Sequence, residues 1–214
     1  MPRSLTERMV STAKSRANKA IVVSLGAPDP AMWGRREAEW LRSYGIGRTQ
    51  VVSTTQGQET LAEDILNAGM VWFSGGLQSR YVSRMNAIPG ASDAVRQLHA
   101  NGGVVAGSSA GAALQSRVMI TGGRNGRVSY GRGLSLWPGV VIDQHVIARN
   151  RQYRLRQAIA RNPSLVGIGI DEDTGVLARG DSFRVYGRSK VIVVRSQGGG
   201  IEETVLSSGD SYTL

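Results

Sequence analysis

The sequence predicts an α/β fold: a mostly parallel central sheet flanked by helices, with a more antiparallel C-terminal part. Three observations carry this. Short apolar runs such as MVWF (70–73), GVVAG (103–107) and VGIGI (166–170) alternate with longer polar-faced segments, the pattern of buried parallel strands joined by crossover helices. Beyond residue 170 the apolar runs become short and are separated by turn residues, as in antiparallel hairpins. No repeat, linker or low-complexity stretch divides the 214 residues, so residues 1–214 read as one domain.

Taken in order, Leu5 to Lys14 has the spacing of a helix with one polar face. AIVVSLG (20–26) reads as a buried strand, Met32 to Tyr44 as a helix and QVVST (50–54) as the next strand. Thr60 to Ala68 is helical, and MVWF is a strand that runs into Ser74-Gly75-Gly76. Gln78–Arg84 and Ser92–Ala100 are helices. GVVAG is a strand, residues 110–117 a helix, GVVI (139–142) a strand, Arg149–Arg161 a helix and VGIGI a strand. Short strands with turns complete the chain.

Composition excludes several classes. With no cysteine there is no disulfide, thiolate nucleophile or zinc–thiolate site. The first twenty residues have no apolar h-region, and no apolar stretch approaches a bilayer's thickness. A cytoplasmic location and no membrane partner are therefore expected. The net charge of +10 comes chiefly from arginine, since lysine stands only at positions 14, 19 and 190. Those arginines are scattered, with no RNP-type aromatic motif and no zinc-finger spacing, so a nucleic-acid partner is not expected.

Parallel α/β sheets bind ligands at the carboxyl ends of their strands. Here MVWF is followed by Ser-Gly-Gly-Leu-Gln, GVVAG by Ser108-Ser109, GVVI by Asp143-Gln144-His145, and VGIGI by Asp171-Glu172-Asp173. Four chemically loaded loops thus converge on one rim. Gly107-Ser108-Ser109-Ala110-Gly111 fits G-x-S-x-G at a strand–turn–helix corner, which lifts the Ser109 hydroxyl above the sheet edge. The N–H of Ala110 opens the following helix and points at the site, and Gly76 supplies a second N–H, together forming an oxyanion hole. The plain alternative is a strand–helix turn in which Ser108 or Ser109 only caps the helix.

Only His99 and His145 are available as a base. His99 precedes the GVVAG strand and so lies at its amino edge, roughly 15–17 Å from Ser109 at ~3.3 Å per residue. His145 follows a strand at the carboxyl edge, which selects it. Residues 110–142 contain no acid, leaving Asp143, Asp171, Glu172 and Asp173 to orient the imidazole. Glu172, at the next strand end, is favoured. Arg149, Arg151 and Arg154 follow closely, with Arg151 and Arg154 expected on one helix face. Their forks suit a substrate carboxylate, unless the helix is merely solvent-facing and basic.

These residues resemble a known family. FSGGLQ (73–78), GSSAGA (107–112), GLSLWPGVVIDQH (133–145), the R-N-R-x-x-R run (149–154), GIGIDEDT (167–174) and the closing LSSGDSYTL look like the cyanophycinases, serine peptidases of family S51. The resemblance implies a flavodoxin-like fold related to class I glutamine amidotransferases, and a Ser–His–Glu triad falling on Ser109, His145 and Glu172. It places substrate-lining residues at Gln78, Asp143, Gln144, Arg149, Arg151 and Arg154. It implies a homodimer, no metal, no cofactor, and a substrate rich in aspartate carboxylates: the β-linked Asp-Arg polymer or related aspartyl peptides. Two departures stand out. Leu77 occupies a position where the family commonly has an acid, and the glycine-rich strand that usually opens the fold is missing, so the sheet is expected to be one strand short or completed by a partner. Other readings of the motifs are a dipeptidase or isopeptidase for small Asp-containing peptides, or a non-catalytic binder on the same fold, against which an intact nucleophile, base and acid argue.

Overall fold

Alternation of apolar side chains along short strands builds the first half of the molecule. The structure, a computed structural model, describes residues 1–124 and 126–214 of the chain, with Arg124 described by its backbone alone. Strands β1 (Lys19–Val23), β2 (Arg48–Val52), β3 (Met70–Phe73) and β4 (Val104–Gly107) form a parallel sheet in the order β2-β1-β3-β4. Ala20, Val22, Met70 and Trp72 point to one face and meet Met9, Val10 and Ala13 of α1 (Arg3–Arg16) and Ala38 and Leu41 of α2 (Pro30–Ser43). Ile21, Val23, Val71 and Phe73 point to the other. There they pack on α3 (Leu61–Leu66), α4 (Gln78–Asn86), α5 (Ala91–Ala100) and the short α6 (Ala110–Ala113). Both faces are covered, as a parallel sheet requires. Each fully buried side chain of this kind contributes roughly 1.5–3 kcal/mol.

The second half is a separate four-stranded sheet. Strand β7 (Val140–Gln144) pairs parallel with β8 (Val166–Ile170). β11 (Val191–Gln197) and β12 (Gly200–Leu206) extend it antiparallel in the order β12-β11-β8-β7. Helix α7 (Gln152–Arg161) covers one face through Leu155, Ala158 and Ile159. The other face meets Phe183 and Val185 of β10 (Ser182–Gly187), which lies between β9 (Thr174–Arg179) and β13 (Ser211–Thr213) in a third, antiparallel sheet. The fold class is thus as the sequence predicts. No helix among the described residues is long and apolar enough to cross a membrane.

Several boundaries differ from the sequence expectation, each for a physical reason. The helix expected over 110–117 stops at Ala113 because the chain turns back. Ser116 is fully buried and its Oγ accepts the Ile142 N–H of β7 at 2.9 Å. The helix expected from Arg149 begins at Gln152, since Asn150 lies in the left-handed region (φ 49°). Arg151 is therefore its N-cap and not on one helix face with Arg154. Asp143 and Gln144 are not a loop but the last residues of β7, in register with Gly169 and Ile170. A hairpin of β5 (Val118–Arg124) and β6 (Arg127–Arg132) fills a stretch where the sequence marks no element.

Candidate active site

Ser109 sits at a strained corner. Its backbone has φ 50° and ψ −110°, a conformation that persists only where its surroundings enforce it. The flanking glycines explain how they do so. A Cβ on Gly107 would lie 2.5 Å from the Gly111 carbonyl carbon, and one on Gly111 would lie 2.2 Å from the Phe73 carbonyl oxygen. Strand β4, helix α6 and the end of β3 thus meet backbone to backbone, and the serine at their junction has its hydroxyl turned toward β7.

Across that junction the Ser109 Oγ lies 2.9 Å from His145 Nε2, and His145 Nδ1 lies 3.0 Å from Glu172 Oε1. A carboxylate only accepts, so the ring proton belongs on Nδ1 and Nε2 is left to accept from the hydroxyl. His145 also has a positive φ of 57°, and its N–H donates to the Ile170 carbonyl at 2.9 Å. This bond continues the β7–β8 pairing by one residue and fixes the ring's origin. Burial, reinforced by the guanidinium of Arg149, holds the imidazole below its ordinary value, against the opposing pull of Glu172. Arg149 Nε stands 3.7 Å from the same Glu172 oxygen.

The four candidate acids separate by what they touch. Asp143 is fully buried and takes both nitrogens of the Arg154 fork, with Nε at 2.9 Å. Asp171 accepts the N–H groups of Ile147 (3.1 Å) and Ala148 (2.9 Å) and the Ser189 hydroxyl (2.6 Å). Burial alone would raise its pKa, but the donors from Ala148, Ser189, Glu172 and Ile147 outweigh that and hold it below the usual carboxylate range. Asp171 therefore ties down the loop that carries His145. Asp173 lies in the left-handed region (φ 53°), and its backbone carbonyl accepts the Arg188 N–H. Glu172 alone of the four is hydrogen-bonded to the imidazole.

The remaining predicted residues divide into open and enclosed. Gln78 is buried and donates to the Ile120 carbonyl at 3.2 Å. Gln144 is buried, and its Oε1 accepts Arg151 Nη1 at 3.0 Å. Arg154 is only 5% exposed and faces Asp143. Of the three arginines expected to face a substrate, Arg149 is exposed, Arg151 is half-buried, and Arg154 is turned inward onto Asp143. At the end of β3, Gly76 (φ 147°) leaves no room for a side chain, since a Cβ there would lie 2.1 Å from the Gly26 carbonyl oxygen. A Cβ on its neighbour Gly75 would lie 3.7 Å from that of Ser109. Among the described residues, the N–H groups of Gly76 and Ala110 have no protein acceptor.

Sequence reasoning missed the support behind this turn. Ser74, fully buried, hydrogen-bonds Glu37 of α2, and the Tyr81 hydroxyl donates to the Ser74 carbonyl at 2.7 Å. Burial raises the Glu37 carboxyl above its ordinary value, although Ser74, Trp72 and Arg36 each favour the charged form. Nothing in the local sequence around Glu37 marks it, because its partner lies 37 residues away. Among the described residues no group of three His, Asp or Glu side chains is placed to hold a metal ion.

The sequence profile described as "Peptidase family S51" matches residues 24–186. A cyanophycinase of Trichormus variabilis is 32% identical, over 85% of this chain and 65% of its own length. One of Synechococcus elongatus is 29% identical, over 81% of this chain and 57% of its own length. The chain thus spans between a half and two thirds of these relatives. The crystal structure of a peptidase from an acI-B1 Actinobacterium superposes with a TM-score of 0.66 at 18% identity, covering 99% of this chain and 90% of that one. At that identity the likeness speaks to the fold.

Proposed function

The chain belongs to peptidase family S51, and from that premise we propose that it is a serine peptidase cleaving aspartyl peptides through an acyl-enzyme on Ser109. The observation that carries the reading is the unbroken line of hydrogen bonds from the Ser109 hydroxyl through His145 to Glu172, at 2.9 and 3.0 Å. The substrate class is peptides that present an aspartyl carboxylate, from the β-linked Asp-Arg polymer cyanophycin to short aspartyl peptides. Arg149 and Arg151 are the cations left at the rim to receive that carboxylate.

In the first half-reaction Ser109 Oγ attacks the scissile carbonyl carbon while His145 Nε2 takes the hydroxyl proton. Glu172 holds the ring in the tautomer that makes this transfer possible. The oxyanion that develops is met by the N–H groups of Gly76 and Ala110, each good donor contributing about 3–4 kcal/mol to the barrier reduction. The C–N bond then breaks, His145 hands its proton to the departing amine, and an ester remains on Ser109. Water, deprotonated by His145, attacks the ester and releases the acid, and the proton returns to Ser109.

The test is hydrolysis of purified cyanophycin and of a panel of α- and β-linked aspartyl peptides, with Ser109→Ala as control. Turnover of at least one of them is expected, and Ser109→Ala should reduce it roughly 10⁴-fold or more with unchanged circular dichroism. A Ser109→Ala protein that retains wild-type rates would remove this mechanism.

A further inference from the structure

Beside the Gly75-Gly76 turn lies a cleft of about 460 Å³ lined by Gly26, Pro28, Gly76, Leu77 and Arg80. It shares Gly76 with the proposed oxyanion site, so it adjoins the position proposed for the scissile carbonyl. The lining is one-sided in chemistry. Leu77 has 55% of its surface exposed, which is unusual for so large an apolar residue in this chain. Pro28 adds a second apolar surface. Arg80, whose Nη1 donates to the Ala27 carbonyl at 3.3 Å, places a positive charge at the edge. Among the described residues, no carboxylate lines the cleft. Asp29, the nearest in sequence, accepts the Met32 N–H as the cap of α2, and Glu37 faces the Ser74 hydroxyl.

Resting on the reading that Ser109 is acylated by an aspartyl substrate, we propose that this cleft is a specificity subsite for an uncharged apolar side chain, with Leu77 selecting it and Arg80 excluding cations. An aliphatic side chain entering here removes apolar surface from water against Leu77 and Pro28. A guanidinium or ammonium entering here leaves water beside a like charge and finds no carboxylate to pair with. The preferred substrates are therefore aspartyl peptides whose neighbouring residue is leucine-like, and those that carry arginine at this position are disfavoured. Electrostatics and apolar contact act in the same direction, so one substitution that adds an acid is expected to reverse both.

Leu77→Asp is that substitution. Leu77 is the N-cap of α4 and makes no capping hydrogen bond. Aspartate is among the residues that N-caps favour, so the variant is expected to fold. Wild type and Leu77→Asp are compared in kcat/KM on aspartyl dipeptides, α- and β-linked, with leucine, alanine or arginine as the second residue. The same peptides are titrated calorimetrically onto Ser109→Ala, with and without Leu77→Asp. The wild type should favour leucine over arginine by about tenfold or more, and Leu77→Asp should invert the order. Equal use of leucine and arginine peptides by the wild type, or a ratio that Leu77→Asp leaves unchanged, overturns the subsite. If no peptide is hydrolysed, the peptidase reading fails while the calorimetric ratio still decides: tighter leucine binding keeps the subsite, and equal or undetectable binding ends it.

Discussion

At the scale of single residues, the behaviour of His145 follows from its neighbours. A general base must be neutral at Nε2 when the substrate arrives. Burial and Arg149 lower the imidazole's affinity for a proton and so favour the neutral ring. The acid limb of kcat/KM should therefore have its midpoint below the ordinary histidine value of 6.5. Arg149→Gln removes one of the two main lowering influences. It raises the imidazole's pKa, moves the acid limb to higher pH, and so costs more activity at pH 6 than at pH 8. A pH profile of kcat/KM for the two proteins on one aspartyl peptide reads this directly. A weaker grip on substrate by the missing guanidinium would lower the curve at every pH, whereas an electrostatic influence on His145 moves its midpoint. An unmoved midpoint would show that Arg149 acts on substrate alone.

At the scale of elements, the sequence speaks clearly where local chemistry and global position agree. MVWF is β3 to the residue, because a four-residue apolar run closed by glycines has few other places to go. The corner at Ser109 is visible because Gly107 is demanded by the backbone of Gly111 one turn on, and Gly111 by the backbone of Phe73 at the end of β3. The β5–β6 hairpin is hidden, since Gly122 and Gly123 interrupt β5 and β6 offers only Val128 and Tyr130 as an apolar face between terminal arginines. The Asp143–Arg154 pair is hidden for another reason. Its two charges come from β7 and α7, and nothing in either segment tells whether they turn inward to each other or outward to a ligand. The corner also yields a prediction at this scale. Gly111→Ala forces a Cβ to within 2.2 Å of the Phe73 carbonyl oxygen, so α6 must lift from β3. Thermal unfolding should show a loss of about 1–3 kcal/mol or more, accompanied by loss of turnover. Gly139→Ala, with open space around its Cβ, should stay within about 0.5 kcal/mol.

At the scale of the whole molecule, two sheets bring their carboxyl ends to one rim, and the chain as a whole carries a net charge of +10. Ser109 and the Gly75-Gly76 turn come from the first sheet, and His145 and Glu172 from the second. The proposed reaction is therefore assembled only when both halves are folded against each other. The charge acts over a longer range than any of these contacts. A positive field raises the encounter rate of anionic substrates and leaves that of charge-balanced ones nearly unaffected. In an Asp-Arg polymer each guanidinium offsets a carboxylate, whereas an aspartyl-leucine dipeptide with a blocked amino group has a net negative charge. Raising the salt concentration from about 20 mM to about 500 mM shortens the Debye length several-fold and screens that field. The value of kcat/KM should then fall severalfold for the blocked aspartyl-leucine substrate and change little for the balanced polymer. Equal salt dependence for the two would mean that the arginines outside the rim do not steer substrate, and that Arg149 and Arg151 recognise it only at contact.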